Sequence, residues 1–162
     1  MNNILKKIKK ALATPVPLPF EQTKQTQEFF SKSTDDLEVL FAENFSSLQG
    51  RFAFCEHIDE LAEQLKTLFA VRSWTKIFIQ EDKLRVEITS RLPDINTAVT
   101  LEACDASITG CECLIARTGT ILLSSVQNGR TSSVYAPVHI CVAYADQLVF
   151  DLKDAIDFVK KK

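Results

Sequence analysis

The spacing of the apolar residues changes partway along this chain, and that change limits the fold more than any other feature. Up to about residue 90 they recur at helical intervals. Ile58, Leu61, Leu65, Leu68 and Phe69 line one face of a predicted helix over 57–70, and Leu37, Leu40, Phe41, Phe45 and Leu48 line another. From about residue 98 the apolar runs become short and close together: AVTL, ASI, CLIA, ILLSS, HICVAY and QLVF. Runs of that length between polar and glycine-containing breaks are read as strands. Helical spacing returns only at Leu152, Ala155, Ile156 and Val159.

The first half supplies further elements. Ser33 or Thr34 is expected to open the helix that carries Leu37, with a side-chain oxygen capping its free N–H groups and Asp35 and Asp36 in the positive first turn. RFAFC (51–55) alternates and is expected to be a strand, and KIFIQ (76–80) a buried one. Strand, helix, strand in that order predicts a βαβ unit over 51–80. A short helix is expected over 82–90, closed by Pro93. Together the halves predict an α/β fold: a mixed, largely parallel sheet flanked by helices.

Residues 1–33 stand apart from the domain expected over 34–162. Ile4, Leu5, Ile8 and Leu12 lie on one helical face among Lys6, Lys7, Lys9 and Lys10. Such a helix lies on a membrane surface or docks on protein, and docking is the reading adopted. Pro15, Pro17 and Pro19 then hold an extended arm. The N-terminus lacks the continuous apolar stretch of a signal peptide, and no window approaches the roughly 20 apolar residues of a bilayer span.

Nineteen basic against 21 acidic residues give a net charge of -2, which argues against a dedicated nucleic-acid binder. The five cysteines (Cys55, Cys104, Cys111, Cys113, Cys141) form no C-x-x-C run, so neither a zinc site nor a cysteine-held iron–sulfur cluster is signalled. Two distant histidines, His57 and His139, signal no metal centre either. Reduced thiols packed mostly in the core of a cytoplasmic protein are expected.

Chemistry concentrates between Glu112 and His139. Residues 92–152 contain no lysine and only two arginines, Arg117 and Arg130, yet hold three of the four glycines. A glycine turn between two strands, Thr118-Gly119-Thr120, can turn backbone N–H groups and hydroxyls toward an anion. Arg130 follows Asn128-Gly129, a turn pair, and its guanidinium suits bidentate binding of carboxylate or phosphate. Ser124 and Thr131 add donors. A tight turn and a hydroxyl-rich surface loop explain the same residues equally well. Glu112 is a candidate general base or nucleophile, and His139 a candidate proton carrier, each set against a purely structural role.

The string from Thr109 to Ile140 resembles the signature region of the LUD-domain family, which includes the lactate-utilisation protein C group. The matching elements are Thr109-Gly110, Glu112, Ile115-Ala116, Thr118-Gly119-Thr120, Arg130 and Pro137-Val138-His139-Ile140. Arg117 departs from the pattern, which usually has an acidic residue there, and the reversed charge leaves the ligand open. The resemblance implies a fold related to ribose-phosphate isomerases, glucosamine-phosphate deaminases and CoA transferases. It also implies a part in oxidising L-lactate to pyruvate beside iron–sulfur partner proteins that carry the clusters, with no cofactor in this chain.

Two functions remain in play. One is a non-cluster component of that system, binding a small carboxylate or phosphate through Thr118, Gly119, Thr120, Ser124, Arg130 and Thr131. The other is a stand-alone isomerase or acyl/CoA-transferase type of enzyme using Glu112. Whether this chain is itself catalytic, and whether it self-associates, stays open at this level.

Overall fold

The computed structural model describes residues 36–98, 100–124, 131 and 133–161. The predicted N-terminal helix, the proline arm, the Ser33 and Thr34 caps and the Asn128-Gly129-Arg130 turn lie outside the described residues.

Among the described residues four α-helices and six short strands follow in order: α1 (Leu37–Ser47), α2 (Ile58–Arg72), β1 (Ile77–Ile79), α3 (Asp82–Thr89), β2 (Ala106–Thr109), β3 (Cys113–Ile115), β4 (Thr120–Leu122), β5 (His139–Cys141), β6 (Leu148–Val149) and α4 (Leu152–Lys160). The strands form two three-stranded sheets rather than one. The first runs β1-β2-β5 with both pairings parallel. The second runs β4-β3-β6, antiparallel between β3 and β4 and parallel between β3 and β6. The fold is α/β with mostly parallel pairing, as the spacing predicts.

Register explains where the core sits. Residues paired in a parallel ladder point to the same face, and neighbours along a strand alternate. Ile77 opposite Ala106, and Ile79 opposite Ile108 and Ile140, therefore make one apolar face. Leu65 and Phe69 of α2 and Leu84 and Ile88 of α3 pack on it as one buried cluster. Each fully buried Ile or Leu contributes about 1.5–3 kcal/mol. The other face carries Ser107, Thr109, His139 and Cys141, and Ser107 and Thr109 are completely buried there. A second, smaller cluster joins Cys113 and Ile115 of β3 to Ala155 of α4, flanked by Leu122, Val149 and Phe158.

Three expectations are corrected. RFAFC is not a strand: residues 51–55 form no regular element, and Phe54 is 60% exposed. Phe52 instead meets Phe41 of α1 edge-on, ring centroids 5.9 Å apart, so its apolar surface is used locally and no ladder forms. The parallel crossover consequently runs from β1 through α3 to β2, not over 51–80. Finally, α1 begins at Leu37 because Asp36 is extended, and Asp36 makes no side-chain capping bond.

The C-terminal helix forms as expected, with Asp151 Oδ1 accepting the Asp154 N–H at 3.0 Å. Its inward residues are Ala155 and Phe158, whereas Leu152, Ile156 and Val159 of the predicted stripe are exposed.

Candidate functional site at the carboxyl edge of the parallel sheet

Parallel strands direct their carboxyl ends to one edge, and in open α/β sheets ligands settle there. In this chain β1 runs out into Glu81, β2 into Gly110, Cys111 and Glu112, and β5 ends on Cys141. Glu81 also opens α3. Its Oε1 accepts the Gly110 N–H at 3.0 Å, which ties the ends of β1 and β2 together. Its Oε2 is shielded from solvent and has no hydrogen-bond partner.

Glu112 is 6% exposed, just before β3. Its N–H donates to Leu122 O at 2.8 Å, and its Oε1 accepts the Ser124 hydroxyl at 2.7 Å. Gln147 Nε2 donates to Cys111 O at 2.7 Å and to Glu112 O at 3.4 Å, pinning the same segment from the β6 side. A buried carboxylate held by a hydroxyl has a fixed direction, which is what a proton acceptor or a hydrogen-bond anchor for a ligand requires.

His139 lies opposite Ser107 in the ladder, and its Nε2 is 2.7 Å from Thr109 Oγ1. Thr109 Oγ1 is also 2.9 Å from Gly110 O. The hydroxyl has one hydrogen, so it donates either to Gly110 O or to the His139 ring, and the tautomer of the ring sets which. Burial pushes the imidazole below its ordinary value of 6.5, so the ring is neutral at neutral pH.

The Thr118-Gly119-Thr120 turn sits elsewhere. It joins the far ends of β3 and β4, where Ile115 pairs with Thr120, while Glu112 and Ser124 flank the Cys113–Leu122 end. At ~3.3 Å per residue the hairpin separates the two ends by roughly 10 Å. Thr118 Oγ1 donates to Thr120 Oγ1 at 2.9 Å, both residues being exposed. Gly119 is buried against α1 with φ +61°. A Cβ there would stand 2.5 Å from Phe45 N and 2.7 Å from Asn44 C. Asn44 Nδ2 closes the contact by donating to Ala116 O at 2.9 Å and Arg117 O at 3.2 Å. Packing on α1 thus accounts for this glycine.

Thr131 is exposed, its carbonyl accepting the Val134 and Tyr135 N–H groups at 3.2 and 2.9 Å. Arg130 lies outside the described residues. The structure therefore joins Glu112 to Ser124, and His139 to Thr109, and sets the glycine turn apart from the first pair. Reading residues singly overlooks Glu81 and Gln147 and gives Thr109 no role beyond its place in the motif. The rule that ligands gather at strand carboxyl ends points to Glu81, because it closes the KIFIQ run; no sequence signal marks Gln147. Among the described residues no three His, Cys, Asp or Glu side chains gather as a metal ion would need. No described helix is long and apolar enough to cross a membrane.

A parallel-sheet α/β domain with buried carboxylate and thiol groups at one strand edge, and a half-buried imidazole close by, defines the class of protein. Within that class, the LUD-domain family model matches residues 39–162, and the chain belongs to that family, which is associated with lactate utilisation. The fold is similar to the crystal structure of a DUF162-family protein from Deinococcus radiodurans, with a TM-score of 0.64 and 21% identity over 77% of this chain and 79% of that one. No curated protein matches this chain.

Proposed function

We propose that this protein is a non-cluster component of an iron–sulfur system that oxidises L-lactate to pyruvate in the cytoplasm, with a site for a small carboxylate or phosphate. Family membership over residues 39–162 carries the reading. The clusters reside in partner chains, and this chain contributes no cofactor. Its ligand is held near Glu112 and His139, with Ser124 fixing the carboxylate and Arg130, one of two arginines in the lysine-free stretch, supplying positive charge. Of the other donors read from the sequence, Thr131 is kept in this site, and the Thr118-Gly119-Thr120 turn, at the opposite end of the β3–β4 hairpin from Glu112, is not.

Deleting the gene in a host without a redundant copy is expected to abolish growth on L-lactate and spare growth on pyruvate. Normal growth on L-lactate refutes the reading. Affinity capture from lactate-grown cells is expected to bring down iron–sulfur proteins.

The buried, hydroxyl-held Glu112 favours a second reading, a stand-alone acyl/CoA-transferase or isomerase type of enzyme. Turnover of acyl-CoA or a phosphosugar by purified protein, abolished by Glu112→Gln, decides for it.

A further inference from the structure

Two cysteines thirty positions apart in sequence meet at the carboxyl edge of the first sheet. Cys141 closes β5, opposite Thr109 in the ladder, and Cys111 lies two residues beyond Thr109. Cys141 and Cys111 are diagonal neighbours across the β2–β5 edge, and the nearness of the Cys111 thiol raises the pKa of the Cys141 thiol. The Cys141 sulfur lies 3.9 Å from Gly110 O, the carbonyl of the peptide that joins Gly110 to Cys111. The Val142 N–H donates to Thr109 O at 2.8 Å and holds the two segments together at this point. Cys111 is 5% exposed and Cys141 is partly exposed. Cys113 is no competitor, being enclosed by the second cluster with Ile115 and Ala155.

We propose that Cys111 and Cys141 are a reversible dithiol–disulfide pair, closed by a low-molecular-weight disulfide. The Cys141 thiolate, the partly exposed member, attacks one sulfur of the small disulfide. That S–S bond breaks, and the first small thiolate departs and takes up a proton. Cys111 then gives up its proton and attacks the Cys141 sulfur, forming the protein disulfide and expelling the second small thiolate, which takes up a proton in turn. Two electrons pass from the protein to the reagent, and two thiols plus one disulfide become one disulfide plus two thiols. The bond formed is about 2.05 Å long.

The surroundings set the rate. The nearby Cys111 thiol, burial and the charges of Cys111 and Glu81 all hold the Cys141 thiol well above its ordinary value. Only the thiolate attacks, so the pair rests as dithiol near neutrality and closes faster as the pH rises. Once closed, the bond fastens the end of β5, which carries His139, to the segment that carries Glu112. This inference stands independently of the lactate reading.

The test incubates the full chain with oxidised glutathione at pH 7 and pH 9, blocks remaining thiols under denaturing conditions, digests the protein and identifies linked peptides by mass spectrometry. A Cys111–Cys141 peptide pair is expected, at least tenfold faster to form at pH 9 and reopened by dithiothreitol. Cys111→Ala is expected to stop at a glutathione adduct on Cys141, and Cys141→Ala to yield no linked pair. Absence of the pair in the wild-type chain at both pH values, or linkage of other cysteines in its place, overturns the proposal. The wild-type measurement decides even where a variant folds poorly.

Discussion

Replacing Gly119 by alanine is expected to destabilise the domain, and the structure gives the size of the effect. The residue sits at φ +61°, where a Cβ costs about 1–2 kcal/mol in strain. The new methyl group also meets Phe45 N at 2.5 Å, Asn44 C at 2.7 Å and Phe45 Cα at 2.8 Å. These are backbone atoms of α1, so no side chain can swing away and the helix must shift. Overpacking of that kind costs about 1–3 kcal/mol. The sum is roughly 2–5 kcal/mol, or a fall in Tm of roughly 4–20 °C for a domain of this size. Chemical denaturation of wild type and Gly119→Ala, followed by circular dichroism, measures it. A change within about 0.5 kcal/mol, the range of neutral surface substitutions, refutes the claim that contact with α1 dictates this glycine.

Four further outcomes are expected, three from the geometry and the last, on Arg130, from the sequence. Leu65→Ala, which empties a position 3% exposed at the centre of the larger cluster, is expected to cost about 2–5 kcal/mol in denaturant titrations. His139 refuses a proton when folded: below pH 6.5 the unfolded chain takes up a proton that the native state does not, so stability falls as pH drops toward the lowered native value; His139→Gln is expected to flatten that part of the stability–pH profile, and an unchanged profile counts against the burial argument. Glu81→Gln keeps the Gly110 N–H acceptor and removes a negative charge near Cys141, so alkylation of Cys141 by iodoacetamide at pH 9 is expected to accelerate; an equal rate shows that the charge is not felt. Arg130→Ala is expected to leave folding intact and weaken binding of a small carboxylate or phosphate by about 1.5–3 kcal/mol, read by calorimetry; unchanged affinity removes Arg130 from the site.

Much of this protein is legible in one dimension because helix and strand periods are local. Ile58 to Phe69 repeat at helical spacing over about three turns, and α2 forms where they do. KIFIQ, ASI, CLIA, ILLSS, HICVAY and QLVF each hold all or most of one of β1 to β6, with β4 and β5 ending three residues before their runs do, whereas Leu101, the last residue of AVTL, opens a 3-10 turn instead of ending a strand. The family, too, was legible, since the string from Thr109 to Ile140 carries the resemblance that the match over 39–162 shows. RFAFC misleads because alternation states only that a segment fits a half-buried ladder; whether an open strand edge awaits it is set by distant chain.

The site divides in the same way. Sequence singled out Glu112 and Ser124, and the fold joins them because β3 and β4 pair Cys113 with Leu122 and bring both flanking residues to one end. Nothing local indicates that Glu81 ties to Gly110, that Thr109 orients His139, or that Cys111 meets Cys141 thirty residues away. Those contacts arise from parallel register between β1, β2 and β5, a long-range property that two crossover connections impose. Residue type and spacing thus determined which elements form and which family they belong to. Only the tertiary structure decided which polar groups share the buried edge, because burial and strand order depend on the whole chain at once.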